Sequence, residues 1–330
     1  ARAPEPVADL VADTVSRRMP MGGRRVALVA VLCGGVLVGW GCGRSADRQT
    51  PGPWEAHYRT GLQAMDQGRY AAADSALERA WGEATAFPPQ DARLRSTLDA
   101  LARVSEVRGR LARADSLYRE LLQIQEAYIG EEADASLATL AKLAELHSTR
   151  GDLANADSLY TRLLSIGEER LEHGDLAITT NLGRAAALSR ELGDFARADS
   201  LEKRQFGLRL YGQGLDHVIA GRLGRAEEYY RRALAAQERL LTSWHPDLYR
   251  TCRDLARLYE GRGAWGEAEG LFRRALSLRE GLLGDDHPEL TEPLGNLASL
   301  LDKQGRQDEA RPLTQRADAI RTAASAGGRP

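Results

Sequence analysis

Apolar positions recur along most of this chain at three- and four-residue spacing, in segments broken by short polar turns that each carry a glycine. That period puts the apolar side chains on one face of an α-helix. Strict alternation is nearly missing, and Val, Ile and Thr form few runs, so a sheet has little to build on. The pattern predicts a series of helices of about 15–18 residues, each about 22–27 Å long.

The turn glycines are periodic. Gly68, Gly109, Gly151, Gly193, Gly221, Gly263 and Gly305 follow one another at 41, 42, 42, 28, 42 and 42 residues. Seven residues before each glycine stands a small residue: Gly61, Ala102, Ala144, Ala186, Gly214, Ala256 and Ala298. Five residues after each stands alanine: Ala73, Ala114, Ala156, Ala198, Ala226, Ala268 and Ala310. The glycine is expected to end a first helix, because it takes the left-handed backbone of a C-cap at no steric cost. The two small columns are expected where paired helices cross, since only Gly or Ala lets the backbones come that close. Four residues after the second column comes a larger knob, Leu77, Tyr118, Tyr160, Tyr230 or Phe272. Glu202 and Thr314 interrupt this column in the fourth and seventh copies.

A small residue, a glycine seven later and an alanine five after that resemble the tetratricopeptide repeat (TPR). The copies include RTGLQAMDQGRYAAADSAL, YGQGLDHVIAGRLGRAEEYYRRAL and TCRDLARLYEGRGAWGEAEGLFRRAL. The 42-residue period, with SWHP and GDDHP ahead of first helices, is similar to the kinesin-light-chain type. Proline suits that place, since the first helical turn has no use for its missing N–H. The resemblance covers about residues 54–323. It implies an all-α fold, a right-handed α-α superhelix (TPR solenoid) of seven helix pairs.

The 28-residue step divides the array into a module of four repeats (54–206) and one of three (207–323). It predicts that the second helix of the fourth repeat runs almost straight into the first helix of the fifth. The last repeat has Pro312 inside its second helix and a polar surface, as a terminal repeat needs. Residues 324–330 are expected to lack structure.

The N-terminus reads as an address. Arg17, Arg18, Arg24 and Arg25 precede a single continuous apolar run at 26–40, VALVAVLCGGVLVGW. A basic start followed by an apolar stretch is the layout of a secretory signal. Gly41-Cys42-Gly43 resembles a bacterial lipobox, which makes Cys42 a lipidation candidate, although Gly39 stands where an aliphatic residue is preferred. An uncleaved span and an ordinary cleaved signal are the alternatives, and all three send the repeats across the membrane. The expected location is the cell envelope, membrane-anchored, with the repeats on the extracytoplasmic side. Residues 1–25 form a basic segment, and Met21 opens a natural start, MGGRRVALVAVL. Residues 1–20 are then upstream sequence, or the chain is cut from a longer protein. Residues 43–53 read as a flexible tether.

Composition narrows the function. A formal net charge of −2 argues against a nucleic-acid binder, which needs a phosphate-neutralising face. Nearly every basic residue is Arg, and no function is drawn from that. No phosphate loop, HExxH or CxxC spacing occurs; of the six histidines, His147 and His217 share a repeat column and His245 and His287 belong to His-Pro loops. Cys252 replaces a leucine column and reads as a small core residue. No enzyme activity, cofactor, metal or small-molecule substrate is expected.

What is left is the inner face. In TPR proteins the first helix of each pair lines the groove, which implies a protein or peptide partner. Groove candidates are Tyr58 and Leu62 in the first repeat, Arg103 in the second, Arg190 in the fourth, Tyr211 and Leu215 in the fifth. Arg250, Arg253 and Arg257 follow in the sixth, and Gly295, Ser299 and Asp302 in the seventh. The three arginines are expected to grip a partner carboxylate beside an apolar pocket of Tyr211 and Leu215, through the planar donor fork of arginine. Asn296 matches the asparagine that kinesin-light-chain-type repeats use to hold peptide backbone, but Arg184, Lys142 and Asp254 stand there in other repeats. The expected function is a non-catalytic scaffold at the bacterial cell envelope. The alternative is the extracytoplasmic sensor part of a longer signalling protein such as a receptor kinase.

Overall fold

A computed structural model describes residues 52–172, 176–241 and 245–327. The basic segment, the apolar run at 26–40 and Cys42 lie outside the described residues. Among the described residues no helix is long and apolar enough to cross a membrane.

The described residues form α-helices and one short 3-10 turn, with no strand among them. The helices are α1 (Pro53–Asp66), α2 (Tyr70–Ala84), α3 (Ala92–Val107), α4 (Leu111–Tyr128), α5 (Asp134–Thr149) and α6 (Leu153–Glu172). They continue with α7 (Ile178–Glu191), α8 (Phe195–Ile219), α9 (Leu223–Leu240), α10 (Pro246–Gly261), α11 (Trp265–Leu283), α12 (Thr291–Lys303) and α13 (Gln307–Gly327). The seven turn glycines all have positive φ, from 67° to 79°. Each is followed by a residue whose N–H reaches back five positions, as in Arg69 to Ala64 and Ala264 to Tyr259. This Schellman closure satisfies carbonyls that the helix end leaves open.

The small columns do the work expected of them. Ala102, Ala144, Ala186 and Ala256 are fully buried, as are Ala73, Ala114, Ala156, Ala226 and Ala268. A Cβ on Gly61 would stand 2.6 Å from Leu77 Cγ, and one on Gly214 would stand 2.5 Å from the Tyr230 ring. The knobs Leu77, Tyr118, Tyr160, Tyr230 and Phe272 are buried beside these crossings.

The chain divides into two compact units at Arg170 and Leu171. In the unit ending at Arg170, α1 packs on α2, α2 on α3, α3 on α4 and α4 on α5. In the unit starting at Leu171, α7 through α13 pack in the same serial way. Here the short sequence step appears as a 25-residue helix, α8. Its first half meets α7 through Glu202 with Arg190 and Gln205 against Gly183. Its second half meets α9 through Gly207 with Gln237 and Gly214 with Tyr230. One helix thus serves two repeats, which leaves thirteen α-helices among the described residues where seven separate pairs would need one more.

Two local details go beyond the sequence pattern. His245 and His287 are N-caps: each imidazole Nδ1 accepts from the backbone N–H two residues on, at 3.2 and 3.3 Å. The His-Pro pair is therefore a cap followed by the proline of the first turn. The expectation of an unstructured tail at 324–330 is corrected in part, because α13 runs on to Gly327. The Ala-rich stretch there favours helix strongly enough to extend it.

Candidate functional site

The arginines hold successive repeats together. Arg108 and Arg110 both reach Asp74, and Arg113 reaches Glu78, from one hairpin to the one before. The other unit repeats the device with Arg306 to Glu269 and Arg316 to Glu280, each at 2.5 Å. Such partly exposed pairs add little stability singly, but the planar fork sets the register between neighbours. The preference for arginine, from which the sequence suggested no role, has this use.

First helices of neighbouring repeats are joined differently. The indole of Trp54 donates to Thr97 at 2.9 Å, and Lys142 pairs with Asp99. In the other unit Arg204 pairs with Asp247 at 2.9 Å, Tyr249 with Glu292 at 3.2 Å and Lys303 with Glu260 at 2.8 Å. The first helices therefore lie side by side within each unit, with one face of each turned toward a common surface.

The candidate residues divide by accessibility on that surface. Tyr58 and Leu62 are half-buried, and Arg103 and Arg190 are exposed. Trp54 stacks on Tyr58 at 4.9 Å between ring centres, making an aromatic end to the row. Tyr211 and Leu215 are buried, at 2% and 5% exposure, where the sequence suggested an open pocket. The Tyr211 ring lies against Tyr230, and its hydroxyl donates to Asp254 at 2.5 Å. Asn296 is half-buried, with its amide nitrogen enclosed.

The expected arginine stripe is split by its partners. Arg250 is buried and bonded to Asp247 at 2.6 Å. Arg253 is buried and turns Nε to Asp254 at 2.8 Å. Burial works against the Arg253 cation, but Asp254 beside it outweighs that and holds the guanidinium well above its ordinary range. Burial also pushes Asp254 up, yet Arg253 and then Arg257 pull it down to about 2. Arg257 is the more open member and reaches Glu292 at 3.3 Å. Tyr249, Arg253 and Arg257 follow one another at four-residue spacing, so they share one face of α10. Burial, with Glu292 beside it, pushes Tyr249 up to about 12. The sequence did not single out Tyr249 or Glu292; the 43-residue step between them was the signal available.

In the last repeat a hollow of about 350 Å³ is lined by Gly295, Ser299 and Asp302 of α12 and by Thr314, Asp318 and Arg321 of α13. Thr314 stands where five of the other repeats carry an aromatic or leucine knob, which opens this space. Among the described residues no group of three or more His, Cys, Asp or Glu is placed to hold a metal.

Residues 208–281 and 247–323 match a tetratricopeptide-repeat family model, and residues 139–173 match a second one. Several solved structures share low identity with the chain. A kinesin-light-chain protein of Podosopora anserina with nearly identical TPR-like repeats is 18% identical, over 71% of this chain and 99% of that one, with a TM-score of 0.37. BtubC from P. vanneervenii is 21% identical, over 84% of this chain and 92% of that one, with a TM-score of 0.31. The TPR2AB domain of yeast Sti1, solved as a complex with pHSP90, is 13% identical, over 81% of this chain and 98% of that one, with a TM-score of 0.33. No curated protein matches the chain. The matched segments coincide with hairpins built on turn glycines and buried alanine crossings, and at residues 139–173 and 208–323 the chain carries tetratricopeptide repeats.

Proposed function

We propose that this protein is a non-catalytic scaffold at the bacterial cell envelope, binding a peptide or protein along the face of its first helices. The observation that carries the reading is that within each unit the first helices lie in a row, joined at Trp54–Thr97 and Asp99–Lys142 in one and at Tyr249–Glu292 and Glu260–Lys303 in the other. Such a row offers an extended surface with anchors at helical spacing, which suits a peptide better than a small molecule. Tyr58, Leu62 and Arg103 are its accessible anchors in the first two repeats. Arg190 and Arg257 are accessible in the fourth and sixth, with Asn296 in the seventh.

The envelope location rests on the arginines before residues 26–40 and on Gly41-Cys42. In this reading a lipid on Cys42 holds the repeats on the extracytoplasmic side. Radiolabelled palmitate incorporation that is lost in Cys42→Ser tests the anchor.

Peptide-display selection against the full chain tests the binding face. Selected peptides should lose affinity on Leu62→Ser or Arg103→Glu and keep it on Arg239→Glu, an exposed position of α9. Equal binding by all three variants would remove the inner face as the site.

A further inference from the structure

Phe206 has lost its mate. It stands thirteen residues after the turn glycine Gly193 and fifteen before the next one, Gly221. In the repeats that follow, these two columns belong to different residues, which join one core across the step between hairpins. Leu234, thirteen after Gly221, and Leu248, fifteen before Gly263, share one apolar cluster. Leu276 and Leu290, in the same two columns one repeat on, share another. Leu248, Leu276 and Leu290 are at most 8% exposed. The 28-residue step folds both columns onto the single residue Phe206, so nothing is left to cover it, and it is 49% exposed.

The stripe around Phe206 has coiled-coil spacing. Phe195, Asp199, Glu202, Phe206, Arg209 and Gln213 follow at alternating steps of four and three residues, which keeps them on one side of α8. Glu202 is half-buried and the other five are exposed, Phe195 at 69%. α8 meets α7 through Glu202 and Gln205, and α9 through Gly207 and Gly214. The stripe runs between these two lines of contact and is left open by both neighbours. An open stripe at this spacing, with a phenylalanine at its middle and another at its end, is complementary to a helix.

A second copy of α8 matches it. In an antiparallel pair with the two-fold axis at the level of Arg204, each stripe position falls opposite another. Phe195 meets Gln213 of the second copy, Asp199 meets Arg209, and Glu202 meets Phe206. The two Phe206 residues then lie about 6 Å apart along the helix axes, with an Asp199–Arg209 pair on either side of them. Sliding the pair by seven residues sets Asp199 against Glu202 in one direction and against Asp216, the next stripe position, in the other. Like charges oppose both alternatives, so charge selects the first register. A patch that complements itself about a two-fold axis is the commonest basis for association of identical chains.

We propose that this protein forms a two-fold symmetric dimer in which α8 pairs antiparallel with α8 of a second copy, covering Phe206 and Phe195. The interface is a product of the short step, because an array of regular 42-residue repeats covers both columns internally. It goes beyond the binding role assigned above and uses neither Leu62 nor Arg103.

Sedimentation velocity of the full chain in mild detergent, over a concentration series, tests the proposal. The parent should dimerise. Phe206→Ser should weaken association at least about tenfold, the loss expected when an apolar anchor is taken from the centre of an interface. Asp199→Arg and Arg209→Asp should each weaken it, because each sets two like-charged pairs across the axis. The double variant Asp199→Arg/Arg209→Asp should restore it, and thermal unfolding checks that every variant is folded. A parent that stays monomeric at every concentration would overturn the proposal and leave Phe206 to be covered by a different protein. Dimerisation of Phe206→Ser as tight as the parent's would place any association outside α8 and would also overturn it. Single charge variants that associate as tightly as the parent, or a double variant that restores nothing, would overturn the antiparallel pairing. None of these outcomes bears on peptides that depend on Leu62 and Arg103, so the inner-face reading stands or falls separately.

Discussion

The hydroxyl of Tyr211 and the carboxylate of Asp254 are 43 residues apart in sequence and 2.5 Å apart in space. The repeat is 42 residues long, and the extra residue has a geometrical meaning. Neighbouring first helices run side by side, so a side chain on the leading flank of one meets the trailing flank of the next. A step of one residue turns about 100° around the helix, which converts the leading flank into the trailing one. The same offset of one residue beyond the repeat joins Arg204 to Asp247, Tyr249 to Glu292 and Glu260 to Lys303, and in the other unit Asp99 to Lys142.

Removing one partner of the buried set should cost more than removing all of it. Tyr211→Phe deletes a hydrogen bond to a charged acceptor and should destabilise by about 1.5–3 kcal/mol. Asp254→Ala leaves the buried Arg253 uncompensated and should cost about 3–5 kcal/mol. The triple variant Tyr211→Phe/Arg253→Met/Asp254→Leu should recover most of that loss, because no charge is left stranded. Urea unfolding of the four proteins measures the order, and a triple variant weaker than Asp254→Ala would contradict it.

Acid should act on the same set. The folded pKa of Asp254 lies at about 2, below the value near 4 of an unfolded chain. Its contribution is therefore complete above about pH 5 and is lost as the pH falls from about 4 toward 2. Glu269 and Glu309 act in the same direction, because hydrogen bonds from Arg306 hold both below the usual carboxylate range. The unfolding midpoint should fall through this window in the parent and fall less in the triple variant. Parallel pH profiles would show that Asp254 is not the group responsible.

Glycines of identical composition should respond in opposite senses. Gly214→Ala drives a methyl into the Tyr230 ring and should cost about 1–3 kcal/mol. Gly263→Ala meets no atom within 4 Å but must adopt a φ near 75°, at a cost of about 1–2 kcal/mol. Gly270→Ala sits within α11 with open space around it and should stabilise by about 0.5–1 kcal/mol. Thermal unfolding of the three separates close approach, backbone strain and helix propensity.

Cys252 should be chemically silent until α10 opens. It is 0% exposed, and burial pushes its thiol up to about 12. The thiolate is the reactive form, so iodoacetamide at pH 8 should leave Cys252 unmodified in the native protein and alkylate it in urea, as read by peptide mass mapping. Rapid native labelling would show that α10 opens on its own.

The backbone plan was legible in the sequence because each of its rules is local or strictly periodic. A left-handed C-cap demands glycine, a helix crossing demands a small residue, and both recur at fixed spacing from Gly68 to Gly305. The fused helix α8 could be read from the short step for the same reason, since 28 residues leave no room for another turn. These features follow from what a backbone permits, and they need no knowledge of distant neighbours.

The candidate site was less legible. Spacing alone placed Tyr211, Leu215, Arg250 and Arg253 on the first helices but could not say which flank the next repeat would cover. Their burial, the bond of Tyr211 to Asp254 and the meeting of Glu292 with Tyr249 depend on a one-residue offset between helices a whole repeat apart. Local sequence determined where each helix begins, ends and crosses its partner, because steric limits on the backbone act residue by residue. Tertiary structure alone decided which charges face water and which face each other, because desolvation and Coulomb attraction depend on distances that only the stacked repeats create.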